Sequence, residues 1–274
     1  MIRTGIFTDT FQESFRNKMF LFFFVMSSLV VGTIGLAMNM DIVNGVMAGA
    51  SILGTEIRMP EMPVSQFITM IQTGLAMLIA VVGLFLALMA TSTLFPTMLQ
   101  KGSIDLLLCR PIPRWRIITA RFLGGAAIMA FNAAYLIVGV WLVLGLKSGI
   151  WSKGFPLSAM FLIFAFVVLF SVMMMASVIT ENGSIGLLMT FMLIVASPIL
   201  ASHERITPAF SEELYRQIFR NLYWVLPKTA EIIGAARGLI RNQPLEIGWA
   251  AGTSAGFAIV CYIITMVYFT RKDY

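Results

Sequence analysis

Residues equipped for chemistry are scarce in this chain of 274 residues. The only histidine, His203, stands beside Glu204 and Arg205, a setting that suits a solvated loop better than a metal ligand. Cys109 lies in a basic stretch and Cys261 in an apolar run, so neither a disulfide framework nor a zinc cluster is available. Twenty methionines could suggest a copper site, but Met173, Met174 and Met175 are consecutive and would point to different faces of a helix, as packing residues do. There is no HExxH, no paired acids in an apolar setting and no GxxxxGK[ST] phosphate loop. Uncharged polar positions such as Asn132, Ser171 and Thr190 could line a path, or bond to a neighbouring helix. The chain therefore reads as non-catalytic, with no cofactor or metal of its own.

The densest functional signal is QKGSIDLLLCRPIPRWRIITARFLGG, residues 100–125. Leu106, Leu107 and Leu108 can dock on an apolar surface, and Pro111 and Pro113 stiffen the turn. Arg110, Arg114 and Arg116 can pair with carboxylates or lipid phosphates. A basic anchor that only fixes topology would look similar.

What must position this loop follows from composition. The chain is 59% hydrophobic and 12% charged, where a soluble domain carries roughly 25% charged residues. A soluble fold could not bury so much apolar surface. The net charge of +6 is spread between apolar runs and forms no basic face with interleaved aromatics, so nucleic acid is not an expected partner. Six runs, residues 19–40, 68–89, 122–146, 155–180, 183–202 and 247–270, hold no Asp, Glu, Lys, Arg or His. Each meets the roughly 20 residues that a helix needs to cross a bilayer. The first starts too late and runs too long for a secretory signal and reads as a retained span. Only Glu181 and Asn182 separate the fourth and fifth runs, which would cross as two spans or form one re-entrant pair. The fold class is an all-α polytopic membrane protein, one transmembrane domain over residues 1–274.

An even number of spans places both termini on one side. The short loops around the first three spans carry Arg3, Arg16 and Lys18, then Lys101, Arg110, Arg114, Arg116 and Arg121, which puts the termini in the cytoplasm. Ahead of the first span, in residues 1–18, Phe7, Phe11 and Phe15 recur every four residues opposite Asp9, Glu13 and Arg16, the pattern of an amphipathic helix at the membrane surface. Residues 90–121 form a cytoplasmic loop, and residues 203–246 an extracytoplasmic connection with its own helices. The first would be capped by Ser211, carry Leu214, Ile218, Leu222 and Leu226 as a stripe and stop at Pro227. A second would span residues 229–240 with Ile232, Ile233, Ala236 and Leu239 on one side, both interfacial or re-entrant, and Tyr223 and Trp224 at headgroup level. Gly248, Gly252 and Gly256 open the last span with a spacing that admits close helix approach, within the chain or to a second copy.

The order Lys101, Gly102, Ser103, Asp105, Leu107, Leu108, Arg110, Pro111, Arg114 after the second span resembles the permeases of type-2 ABC transporters. The six spans, the amphipathic start and the ending Arg271, Lys272, Asp273 look like the same family, although Gln100 stands where members often have glutamate. The resemblance implies a permease subunit, an exporter in the cytoplasmic (inner) membrane, that pairs with a second permease and with cytoplasmic ATPase subunits. Those subunits would hold the ATP and Mg. Their coupling surface would comprise Gln100, Lys101, Gly102, Asp105, Leu108, Arg110 and Arg114, and a second loop at Glu181, Asn182 and Gly183. ATP-driven closure would push on residues 94–105. The substrate is not indicated. A secondary carrier or channel, disfavoured by the charge-free spans, and a membrane anchor for an ATPase complex are the competing readings.

Overall fold

A computed structural model describes residues 18–43, 46–52, 55–57, 63–99, 113–203, 213–245 and 247–272. The amphipathic segment of residues 1–17 and the loop residues Gln100, Lys101, Gly102, Asp105, Leu108 and Arg110 lie outside the described residues. The first helix, α1 (Lys18–Ala37), leads into three short strands, β1 (Met38–Val43), β2 (Val46–Ile52) and β3 (Thr55–Ile57). Next comes α2, which runs over Val64–Leu78, passes a π-helical turn at Ile79–Gly83 and continues over Leu84–Thr91. The short α3 (Leu94–Leu99) and the long α4 (Arg114–Ser148) flank the basic loop. They are followed by α5 (Gly154–Thr180), α6 (Gly183–Ala201), α7 (Glu213–Val225), α8 (Thr229–Ile240) and α9 (Gly248–Arg271).

Among the described residues, five helical stretches are long and apolar enough to cross a membrane: Val64–Leu99, Arg114–Ser148, Gly154–Thr180, Gly183–Ala201 and Gly248–Arg271. The apolar part of α1, Leu21–Leu36, is a shorter one. The chain is thus an all-α polytopic membrane protein in its spans. Hydrophobic length decides this, because lipid offers no partner to a backbone N–H or C=O and a helix satisfies all of them internally. The fourth and fifth runs are two separate long helices.

Some boundaries differ from the sequence expectation. The first span was expected to reach Met40, but helix ends at Ala37 and Met38, Asn39 and Met40 belong to β1. Polar Asn39 and Asp41 alternate in sequence with Met38, Met40 and Ile42, a period of two that suits a strand and not a helix. β1 pairs antiparallel with β2, with an irregularity between Asp41 and Ile42, and β2 pairs antiparallel with β3. The third span begins at Arg114 and not Phe122. At 35 residues, α4 is about 52 Å long against a hydrocarbon core of about 30 Å, so its basic first turns extend past the bilayer.

α5 is the centre of the bundle. It is apolar on every side, as a helix enclosed by others must be. Ala165, Val168, Leu169, Phe170, Met173, Met174 and Val178 are fully buried on it. Phe170 packs with Phe95, Phe122 and Phe166, joining α3 and α4 to α5. Met173 and Met174 fill this core. α6 buries only a narrow stripe, Gly186, Thr190, Ser197 and Leu200. Most of its remaining surface is exposed and apolar, including Leu188, Met192 and Val195.

Candidate functional site

Two clusters of polar side chains lie at the two ends of the bundle. At the end that holds the starts of α4 and α6 and the finish of α9, three segments distant in sequence converge. α5 finishes at Glu181, whose φ of 54° is left-handed, the usual way to stop a helix and one that a non-glycine residue adopts at a cost. Asn182 then caps α6, its Oδ1 accepting from the Ser184 N–H at 2.9 Å. Gly183 is required by contact: a Cβ there would lie 2.4 Å from the Ser92 carbonyl oxygen, at the bend between α2 and α3. The turn of Glu181, Asn182 and Gly183 is therefore seated on the segment leading into the basic loop.

The chain's last turn closes the cluster. The Lys272 ammonium donates to Glu181 Oε1 and, at 3.3 Å, to the Tyr268 hydroxyl. These two bonds raise its pKa above the usual lysine range, with a smaller opposing effect of burial. The Tyr268 hydroxyl also donates to the Ile179 carbonyl at 3.4 Å. Arg114, expected in the loop as a partner for acidic groups, instead opens α4. Its Nη1 donates to the main-chain carbonyls of Lys272 at 2.6 Å and Thr270 at 3.3 Å. Free carbonyls at a helix finish are acceptors in need of donors, and a cation there also suits the helix dipole. The structure brings Arg114 together with Glu181, Asn182 and Gly183 at this end. Arg121, one of the loop arginines in sequence, is buried within α4.

Sequence reasoning missed the arrangement at the opposite end. α8 spans the expected residues, 229–240, and buries Thr229, Ile232, Ala236 and Ile240. Its N-terminus has no side-chain cap of its own. Hydroxyls from other helices substitute: Ser254 of α9 accepts from the Lys228 N–H at 2.9 Å, and Ser197 of α6 accepts from the Ala230 N–H at 2.9 Å. These serines lie inside their helices, so the tip between α7 and α8 sits below the helix ends. α8 then returns beside α5 until Leu239 and Ile240 press on Gly154. The α7–α8 tip is thus packed between α6 and α9. Ile218 and Leu222 of the apolar stripe on α7 are exposed.

At the tip, the Lys228 side chain is 3% exposed. Its ammonium lies 4.4 Å from the Tyr223 ring centre, 5.0 Å from that of Trp249 and 5.8 Å from that of Trp224. Thr253 Oγ1 accepts from it at 3.4 Å. Tyr223 donates to Glu231 at 2.7 Å and stacks on His203, so His203 is held against a ring and does not stand free in a loop. No signal in sequence spacing joins Tyr223 and Trp224 to Trp249.

Gly248, Gly252 and Gly256 have nothing within 4 Å of where a Cβ would stand. The buried residues of α9 are Ala250, Ser254, Cys261, Thr265 and Phe269, so the glycines line a side that the described residues do not cover.

No curated protein matches the chain. The family model described as ABC-2 family transporter protein matches residues 5–274. That match takes in every helix above together with the basic loop, and the chain belongs to the ABC-2 family of transporter membrane proteins.

Proposed function

We propose that the chain is the permease subunit of an ATP-driven exporter and that the end holding Arg114, Glu181, Asn182, Gly183 and Lys272 is where cytoplasmic ABC ATPase subunits act. The observation that carries this reading is the seating of Gly183 against Ser92. It joins the α5–α6 turn to the segment that leads into Gln100, Lys101, Gly102, Asp105, Leu108 and Arg110, so one partner surface could press on both. ATP and Mg belong to that partner, and this chain contributes the mechanical response. Membership of the ABC-2 family and the basic short loops support this reading, with this end and both termini on the cytoplasmic face of the inner membrane. A second permease, a further copy or a related chain, completes the membrane core. The exposed sides of α6 and α9 are available for it.

The test is co-purification of the tagged full-length chain from its native membrane, with a Walker-type ATPase expected in the eluate. Replacing Lys101, Asp105 and Arg114 together by Ala should weaken that association or separate ATP hydrolysis from transport. Transport by the purified chain with no ATPase present would overturn the proposal and favour a secondary carrier. An impermeant thiol reagent should label Cys109 in inverted vesicles only, and labelling in intact cells would reverse the orientation.

A further inference from the structure

An apolar cavity of about 250 Å³ lies in the middle of the bundle between α1, α2, α4 and α5. Phe22, Phe23 and Phe166 supply aromatic wall, and α2 contributes its π-helical turn through Ile79, Val82 and Gly83. At that turn the Leu84 N–H reaches back five residues to the Ile79 carbonyl, a geometry frequent at functional sites. An engineered cavity of about 150 Å³ with similar walls accepts benzene, so the space here suits a larger ring compound. Its mouth opens outward between α1 and α2, where the lining residues Phe22 and Leu78 are 56% and 55% exposed. In a bilayer that opening faces hydrocarbon or another chain.

Two polar side chains, Ser27 and Asn132, break the apolar lining. Asn132 is fully buried in α4, and its Oδ1 accepts from the Ser27 hydroxyl of α1 at 2.8 Å. With Oδ1 paired to Ser27, Nδ2 is the remaining donor. Among the described residues Nδ2 has no hydrogen-bond partner. Buried polar groups are normally paired, and a water held here would find few polar partners beyond this amide and Ser27. No charged side chain is among the described residues that line it, so the walls favour an uncharged ligand.

We infer that this cavity binds an uncharged, largely apolar ring compound that carries a carbonyl-type acceptor, admitted from the membrane between α1 and α2 and held by the Asn132 amide. The site lies within one chain and does not depend on how the permease couples to an ATPase.

Benzophenone is a suitable probe, being a neutral aromatic ketone that crosslinks to nearby C–H bonds on illumination. The full-length protein in lipid nanodiscs should show saturable labelling, concentrated on peptides containing Phe22, Val82 and Asn132. 4-Methylbenzophenone should displace the label about fivefold to tenfold better than 4-methyldiphenylmethane, which has the same rings and no acceptor, as expected for one hydrogen bond. Asn132→Leu should retain labelling and abolish the preference for ketone over hydrocarbon. Ala133→Phe, which fills the space, should abolish labelling. Labelling that never saturates or spreads evenly over the exposed helices would overturn the inference. Equal competition by ketone and hydrocarbon in the unaltered protein would do the same, and neither result requires a variant to fold.

Discussion

Arg114 Nη1 lies 2.6 Å from the main-chain oxygen of Lys272, so the first residue of α4 closes the finish of α9 across 158 positions of sequence. Hydrogen bonds involving a charged group contribute about 1.5–3 kcal/mol when shielded. Arg114 is half-exposed, so a value nearer 1 kcal/mol is expected. Arg114→Ala should lower stability by about that amount. It should also expose the last residues of α9 to carboxypeptidase, and unchanged protection would show that the contact does not hold the terminus. Arg114→Lys should recover only part of the effect, because the ammonium cannot reproduce the guanidinium fork.

Gly183→Ala places a methyl 2.4 Å from the Ser92 oxygen and 3.0 Å from Pro96 Cγ, and backbone must shift to admit it. A loss of about 1–3 kcal/mol is expected from overpacking. Gly252→Ala meets nothing within 4 Å and should raise the stability of the single chain by about 0.4–1 kcal/mol through a more restricted unfolded state. If Gly252→Ala instead weakens association between two chains in crosslinking assays, the glycine side of α9 is the contact. Comparable losses for both substitutions in denaturant titrations of the monomer would contradict this packing.

The ammonium of Lys272 is raised above the ordinary lysine range by Glu181 and Tyr268. A raised folded-state value means that the contribution is complete below the unfolded value, about 10.4, and is lost as pH rises through the folded one. The difference in melting temperature between the wild type and Lys272→Met should stay constant from pH 7 to about 9.5 and shrink only at higher pH. A difference that disappears between pH 7 and 9 would show that the pair does not form. The pair is exposed, so added salt should reduce the difference.

Lys228→Met keeps the buried stem and removes the charge that three rings surround. Cation–π contacts of a desolvated ammonium contribute about 2 kcal/mol or more, and a loss of that order is expected. Trp224 and Trp249 pack edge to face at 5.1 Å beside this ammonium, so tryptophan emission should also shift. Unaltered emission and stability would mean that the ammonium is not held among the rings.

The spans and α8 were legible because each is specified locally. Hydrophobic length marks a crossing helix, and Pro227 followed by Thr229 marks where α7 gives way to α8. Arg114 was expected within the loop, and it opens a helix. Its acceptors are main-chain oxygens, which no side-chain pattern announces. The surroundings of Lys228 were hidden for a related reason. Trp249 belongs to a different helix from Tyr223 and Trp224, and the serines that serve the α8 N-terminus come from α6 and α9. The strands were missed because hydropathy treats methionine as span material regardless of its neighbours, and the alternation in residues 38–42 carries the contrary signal.

α6 has 19 residues and so measures about 28 Å, nearly the thickness of the hydrocarbon core. One end rests on Ser92 through Gly183, and near the other Ser197 accepts from the Ala230 N–H in the first turn of α8. Its buried residues form one narrow stripe against the bundle, so the two ends are joined by a single rigid element. A displacement of the Ser92 bend on one face of the membrane would be transmitted to the Lys228 tip near the other, moving the aromatic lining there without any ion crossing between them.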